Sequence, residues 1–228
     1  MKLSVIIPVY NEKKTFLALL KLVEAEKTEK EIIIVDDGSS DGTREILAAL
    51  EKENRPQLKI FYQSENQGKG KAIRKAIEHV NGDYAIIQDA DLEYDPSDYQ
   101  RLLEPIYKGK ATVVYGSRFT GERRNMFFLH MLGNKFLSLV TNLLYNTTIS
   151  DMETCYKVIK SDLLKSLNLK CCKFEFEPEV TAKILKKNIR IYEVPISYAG
   201  REYDEGKKIT WFDGFSALWT LIKYRFID

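Results

Sequence analysis

Short apolar runs alternate with amphipathic helical faces over the first 120 residues, and that alternation leaves few folds open to this chain. Leu3–Val9, Ile32–Val35, Leu58–Tyr62, Tyr84–Ile87 and Ala111–Tyr115 read as strands. Between them lie three helical stripes with core-facing spacing: Phe16, Leu19, Leu20 and Val23; Ile46, Leu47 and Leu50; Ile73, Ala76, Ile77 and Val80. Strands that follow one another in this way, each joined by a helix-length crossover, make an α/β domain with a mostly parallel central sheet and flanking helices. Such sheets bind ligands beyond the carboxyl ends of their strands. The residues that follow each run are therefore where function is expected.

Composition narrows the classes further. With 228 residues, 44% of them hydrophobic, the chain can bury a full core as one large domain. Its 35 Lys and Arg nearly balance 33 Asp and Glu, so bulk charge does not point to nucleic acid. The start of the chain runs straight into Leu3-Ser4-Val5-Ile6-Ile7, without the charged and apolar regions of a signal peptide. Cys155, Cys171 and Cys172 form neither a metal-spaced set nor a disulfide framework. A reduced, cytoplasmic setting is expected, with peripheral attachment to the cytoplasmic face of a membrane as an option. No run of 18 uninterrupted apolar residues is present, so no membrane span is expected.

The strand ends carry the chemistry. The fourth is followed by Asp89-Ala90-Asp91. Mg²⁺ is often held by one or two carboxylates together with a substrate's phosphates, so the pair predicts a metal–diphosphate site; a solvated acidic turn is the plainer alternative. The first strand ends in Pro8-Val9-Tyr10-Asn11-Glu12, where Tyr10 and Glu12 suit a nucleotide base and Asn11 could be a helix N-cap. The second ends in Asp36-Asp37-Gly38-Ser39-Ser40-Asp41-Gly42-Thr43. There Asp41 can cap the next helix, while Asp36 and Asp37 repel each other unless a ligand offers N–H donors. The third leads into Asn66-Gln67-Gly68-Lys69-Gly70-Lys71, which fits neither standard nucleotide fingerprint but can set a lysine near a diphosphate.

Taken in order, these segments and Gly116-Ser117-Arg118 resemble glycosyltransferase family 2, inverting metal-dependent enzymes of the GT-A fold. The resemblance covers about residues 1–200 and is nearest to the dolichyl-phosphate and polyprenyl-phosphate sugar transferases. It implies a nucleotide-binding half over 1–120, an acceptor-side half over 121–200, and an acceptor loop with a C-terminal amphipathic helix over 201–228. It implies that Pro8, Tyr10, Glu12 and Asp37 frame the base and ribose of a nucleotide sugar, with Lys69 near the base or diphosphate and Ala90 also among the residues that bind the nucleotide sugar. Asp89 would face sugar and metal, Asp91 would bind Mg²⁺ or Mn²⁺, and Arg118 would pair with a phosphate. Glu93 stands where dolichyl-phosphate mannose synthases usually have Gln, adding a third acidic metal ligand. Asp151, in Asp151-Met152-Glu153-Thr154-Cys155-Tyr156-Lys157, loosely matches the acceptor segment and is the candidate base or acceptor-orienting residue.

The C-terminal half speaks to the acceptor. Phe127 to Tyr145 is apolar over a broad face and reads as a buried helix or as one lying at a lipid or subunit surface. Thr181 to Lys187 continues another helix, and Ile189–Val194 gives a strand ended by Pro195. Arg201, Lys207 and Lys208 lie in a polar loop that could receive an acceptor's phosphate or be a solvated charge run. Trp211, Phe215, Leu218, Trp219, Ile222 and Phe226 then recur at helical spacing beside Lys223 and Arg225. That helix could pack on the domain, meet a second copy in a homo-oligomer, or lie on an anionic membrane surface.

The expected reaction is transfer of a hexose from GDP-mannose or UDP-glucose to a polyprenyl or dolichyl phosphate. The alternatives are transfer to a sugar or protein hydroxyl and, from another class, a silent nucleotide-binding module. A processive synthase is disfavoured by the lack of Gln-x-x-Arg-Trp, and a sugar nucleotidyltransferase by the lack of a Gly-rich Arg-containing loop after the first strand.

Overall fold

The computed structural model of the protein describes residues 1–201 and 211–227. Seven strands form one sheet: β1 (Leu3–Val9), β2 (Lys30–Asp36), β3 (Leu58–Tyr62), β4 (Tyr84–Ile87), β5 (Val113–Ser117), β6 (Lys157–Lys160) and β7 (Tyr192–Pro195). Their order is β3-β2-β1-β4-β6-β5-β7. All neighbours are parallel except β6, which runs antiparallel to both β4 and β5. The α/β class and mostly parallel sheet follow the sequence pattern. The antiparallel insertion does not, because Lys157-Val158-Ile159-Lys160 is too short and too charged at its ends to announce a strand.

The helices are α1 (Phe16–Ala25), α2 (Thr43–Glu51), α3 (Lys69–Ile77), α4 (Tyr99–Tyr107), α5 (Phe128–Tyr145), α6 (Ser161–Ser166), α7 (Phe176–Lys186) and α8 (Trp211–Phe226). The stripes Phe16/Leu19/Leu20/Val23 and Ile73/Ala76/Ile77 are buried against the β1–β2–β4 centre of the sheet, as their spacing predicts. Strands β1, β2 and β4 are covered on both faces, so they are continuous apolar runs rather than alternating ones. Fully burying each such Ile, Val or Leu stabilises the fold by roughly 1.5–3 kcal/mol against exposure.

Two consequences of this topology build the site. The order reverses between β1 and β4, which opens a crevice at their carboxyl ends. Because β6 is antiparallel, it is its beginning, not its end, that reaches the same edge. That brings Asp151–Tyr156 into the crevice beside the segments after β4 and β5.

Helices α5, α7 and α8 pack together. A small second core of Leu137, Ile149, Met152, Ala217 and Leu221 joins α5 to α8. The predicted stripe on α8 faces the other way. Phe215, Trp219 and Phe226 are each more than 60% exposed, and the buried face is instead Ala217, Thr220, Leu221 and Tyr224. Period 3.6 accommodates both stripes, and only the neighbour decides which one is core. Helix α5 behaves alike: Leu137, Ser138 and Thr141 are buried, while Phe128, Leu129, Leu132, Phe136, Leu139 and Leu143 are exposed. Among the described residues no helix is long and apolar enough to cross a membrane.

Gly38 illustrates how tightly the crevice loops are fitted. Its φ is +75°, and a Cβ there would stand 2.5 Å from the Glu65 carbonyl carbon. Gly38→Ala is therefore expected to destabilise the protein by about 1–3 kcal/mol, from left-handed strain and backbone displacement. An unchanged urea midpoint would contradict this close approach.

Candidate active site

The loops after β1 and β2 are stitched together by hydrogen bonds. The Asn11 amide donates to Ser39 Oγ (2.9 Å), the Ser40 amide to Asn11 Oδ1 (2.8 Å), the Lys13 amide to Asp41 Oδ2 (3.0 Å) and the Glu12 amide to Thr43 Oγ1 (3.1 Å). Asn11 is thus a loop clasp with a φ of +54°, not the N-cap of α1, which begins at Phe16 after Thr15. Gly42, not Asp41, is the N-cap of α2; Asp41 stands just before it and accepts from the Thr43 amide and hydroxyl. Pro8 lies within β1 and Tyr10 follows it, half-buried.

The repulsion between Asp36 and Asp37 is resolved within the protein rather than by a ligand. Arg44 pairs with Asp36 at 2.9 Å. Asp37 accepts from the amides of Gln67 (2.8 Å) and Gly68 (2.9 Å) and from Gln63 Nε2 (2.7 Å), and is only 2% exposed. Burial, opposed by those two amides, still pushes its carboxyl above the ordinary range. Asp37 therefore ties down the loop that delivers Lys69. Gly68, with φ +96°, lets that loop lie against the Cys172 backbone, since a Cβ there would stand 2.5 Å from the Cys172 carbonyl oxygen.

Lys69, at the start of α3, reaches Asp89 Oδ1 at 2.7 Å. Burial works against both charges, but their mutual attraction dominates: Lys69 is held well above its usual pKa and Asp89 below its own. Behind them, Glu177 lies 3.4 Å from Lys69 and 2.5 Å from the buried Lys157, which also donates to the carbonyls of Met152 and Thr154. Across the switch point, Thr15 Oγ1 bonds both Glu12 Oε2 (2.8 Å) and the Ala90 carbonyl (2.9 Å), so Ala90 is buried and contributes its backbone.

Arg201 occupies the centre of the acidic set. Its Nη2 donates to Asp91 Oδ2 (2.7 Å) and its Nη1 to Glu12 Oε1 and Oε2 (3.2 and 3.3 Å). Its amide donates to Glu93 Oε1 (2.9 Å), whose other oxygen accepts from Tyr198 OH (2.8 Å). The loop cation expected at the acceptor thus sits on the donor-side acids, and Glu93 anchors the chain there. Lys207 and Lys208 lie outside the described residues. Burial, Asp89 and Glu93 together push Asp91 up to about 7, against the pull of Arg201.

Among the described residues no three acidic, His or Cys side chains converge as a ready-made ion cage. The donor set nevertheless fits a hard divalent ion that shares its coordination with a diphosphate. Glu12, Asp89, Asp91 and Glu93 set four carboxylates against the two cations Lys69 and Arg201. Asp91 is the oxygen ligand such an ion would take, with Asp89 beside it.

Arg118 and Asp151 lie across the crevice and are spoken for by each other. Asp151 Oδ2 accepts from the Arg118 amide (3.0 Å) and Nε (2.8 Å), and Oδ1 accepts from Nη2 (2.8 Å). Asp151 is fully buried, so it is not placed to take a proton from an acceptor; its position explains the guanidinium's orientation instead. The pair with Asp151 uses the Nε donor and one of the two on Nη2, so the Nη1 donors and the second Nη2 donor are not spent on it. Beside Glu93, a groove of about 420 Å³ is lined by Tyr94, Glu122, Arg123, Arg124 and Tyr198.

A sequence profile of glycosyl transferase family 2 matches residues 4–167, which spans all of these strand-end segments except Arg201. The chain belongs to glycosyl transferase family 2. Its relatives include a low-salt glycan biosynthesis hexosyltransferase of Haloferax volcanii (32% identity, 88% of this chain, 48% of that protein). Another is the undecaprenyl-phosphate 4-deoxy-4-formamido-L-arabinose transferase of Edwardsiella ictaluri (30%, 90% and 62%). A third is the UDP-N-acetylglucosamine–dolichyl-phosphate N-acetylglucosaminyltransferase of Methanococcus voltae (30%, 95% and 93%). The chain spans about half to three-fifths of the length of the first two. Glucosyl-3-phosphoglycerate synthase from Mycobacterium tuberculosis, crystallised with Mn²⁺, UDP and phosphoglyceric acid, has the same GT-A fold: TM-score 0.72, 18% identity, 100% of this chain and 79% of that one.

Sequence reasoning missed Glu153, Glu177 and Lys157, because a buried charge leaves no periodic signature. Glu153 has a buried oxygen without a hydrogen-bond partner, and burial, eased by Lys157, pushes its carboxyl up to about 7. An acid with a raised folded pKa binds its proton more tightly when folded. Stability therefore falls as pH rises from about 4.5 through 7. Glu153→Gln is expected to exceed the natural protein in stability by about 2–3 kcal/mol at pH 8, the gap closing toward pH 4.5. Parallel urea-stability curves across that range would contradict it.

Proposed function

We propose that this family 2 domain transfers a hexose from a nucleoside-diphosphate sugar to a polyprenyl-type lipid phosphate. The observation that carries the reading is Asp89 and Asp91 after the end of β4, one held by Lys69 and the other sharing Arg201 with Glu12, which follows β1 across the switch point. Bound there with Asp91, a divalent ion supplies charge neutralisation on the departing nucleoside diphosphate. Tyr10 and Glu12 flank the place for the base and ribose, and Asp37 acts on that place through the loop it ties down. Lys69 keeps Asp89 ionised and oriented toward the sugar. A phosphate acceptor is already anionic near neutral pH, so attack at the anomeric carbon needs no strong base. That suits a crevice in which Asp151 is committed to Arg118.

The acceptor side supports a lipid. The exposed apolar residues of α5 and α8 lie on adjacent helices, with Lys135, Lys223 and Arg225 on the same elements. Apolar faces flanked by cations suit an anionic membrane surface, and two of the relatives are named for undecaprenyl- and dolichyl-phosphate acceptors. Arg118 and the groove beside Arg123 and Arg124 would receive the lipid's phosphate.

Ligand binding raises apparent stability by mass action. UDP- and GDP-sugars tested with Mn²⁺ or Mg²⁺ are expected to raise Tm by several degrees, with metal and nucleotide each much weaker alone. No stabilisation by any nucleotide sugar would count against the donor assignment.

A further inference from the structure

We propose that Arg201 is a built-in counter-cation of the donor-metal site, which a divalent ion must displace from Asp91 before the site can load. The inference rests on the metal-dependent reading above and concerns what occupies that site before the metal does.

Asp91 Oδ1 already accepts from the Glu93 amide (3.2 Å), so Oδ2 is the freer oxygen, and Arg201 Nη2 sits on it at 2.7 Å. A metal ligated by that oxygen at about 2.0–2.2 Å would take the lone pairs the guanidinium uses and place a second cation against it. The two cannot share the oxygen comfortably. The arginine is also held imperfectly where it is. Its Nε is buried without a hydrogen bond, 3.5 Å from Glu93 Oε1, and its bonds to Glu12 are long at 3.2 and 3.3 Å. A guanidinium serving only to brace the fold would be expected to use its planar fork in full, as Arg118 does on Asp151.

The anchor lies elsewhere. Glu93 takes the Arg201 amide and the Tyr198 hydroxyl on its two oxygens, and its carbonyl takes the Ala199 amide. The 198–201 backbone can stay docked on Glu93 while the Arg201 side chain leaves Asp91. Among the described residues Arg201 is the guanidinium that Glu12, Asp91 and Glu93 share, and withdrawing its charge without a replacement would raise their mutual repulsion. Arg201 thus keeps the empty site assembled, and its release coincides with the arrival of the ion and its diphosphate. The freed guanidinium then becomes available to a phosphate oxygen.

The direct test is Mn²⁺ binding to the whole protein, followed by the electron-spin-resonance signal of the free ion, for the natural protein, Arg201→Ala and Arg201→Gln. Both variants are expected to bind Mn²⁺ about tenfold more tightly than the natural protein without nucleotide, with the gap narrowing when UDP is present. Equal or weaker binding by the variants overturns the displacement model while leaving the metal site standing. No Mn²⁺ binding by any of them, with or without UDP or GDP, overturns the metal-dependent reading as well. The natural protein gives a second readout that does not depend on a variant's folding. Modification of Arg201 by phenylglyoxal, followed by mass spectrometry, is expected to accelerate several-fold on adding Mn²⁺ alone. An unchanged rate contradicts the displacement.

Discussion

Asp91→Ala is expected to lower kcat/KM for sugar transfer by about a thousandfold or more, without recovery at saturating Mn²⁺. The magnitude follows from removing the carboxylate that fixes an ion whose task is to stabilise charge on a leaving diphosphate, a contribution of several kcal/mol to the transition state. Asp89→Ala is expected to fail for a different reason. Its carboxylate is the partner of the buried Lys69 (2.7 Å), so the change leaves that ammonium with Glu177 alone at 3.4 Å. Asp91→Ala should therefore fold with nearly the natural Tm, while Asp89→Ala should lose both stability and transfer. Undiminished transfer in both variants would sink the assignment of this pair.

The second large effect is on stability. Asp151→Ala removes one half of a fully buried, bidentate pair and strands Arg118, itself 7% exposed, in a place where its charge cannot be hydrated. Breaking such a pair by deleting one partner costs about 3–5 kcal/mol, which for a chain of this size is a fall in Tm of roughly 10 °C. Replacing both partners by apolar side chains of similar volume should recover much of that loss while abolishing phosphate recognition by Arg118. If Asp151→Ala instead keeps its full stability and loses only turnover with a hydroxyl acceptor, the residue is the proton acceptor its sequence position suggests.

How much of this was legible in the sequence varies with the physics of each part. The strands β1, β2 and β4 and the core faces of α1 and α3 could be read because burial on both faces writes an apolar run and burial of one helix face a 3.6-residue stripe. Asp89 and Asp91 could be read because a strand end in an α/β sheet is a ligand edge. Strand β6 could not, and with it went the reason that Asp151 and Glu153 enter the crevice by the start of a strand. The pairing of Arg118 with Asp151 spans 33 residues, and that of Arg201 with Asp91 spans 110. No local pattern encodes either. The apolar stripe of α8 is visible as periodicity, but which of its open settings it takes is not: Phe215, Trp219 and Phe226 face outward because a helix with two apolar faces is oriented by its neighbours. In each case the short-range signal was sound and the long-range partner decided its meaning.

The central claim is sugar transfer to a lipid phosphate, and its most direct measurement uses labelled UDP- and GDP-sugars with purified protein, Mn²⁺ and vesicles carrying a polyprenyl phosphate. The account predicts label in the lipid fraction for one nucleotide sugar, abolished by chelation and absent from the Asp91→Ala variant. Nucleotide-sugar binding with no transfer to the lipid phosphate, at any metal concentration, would contradict it.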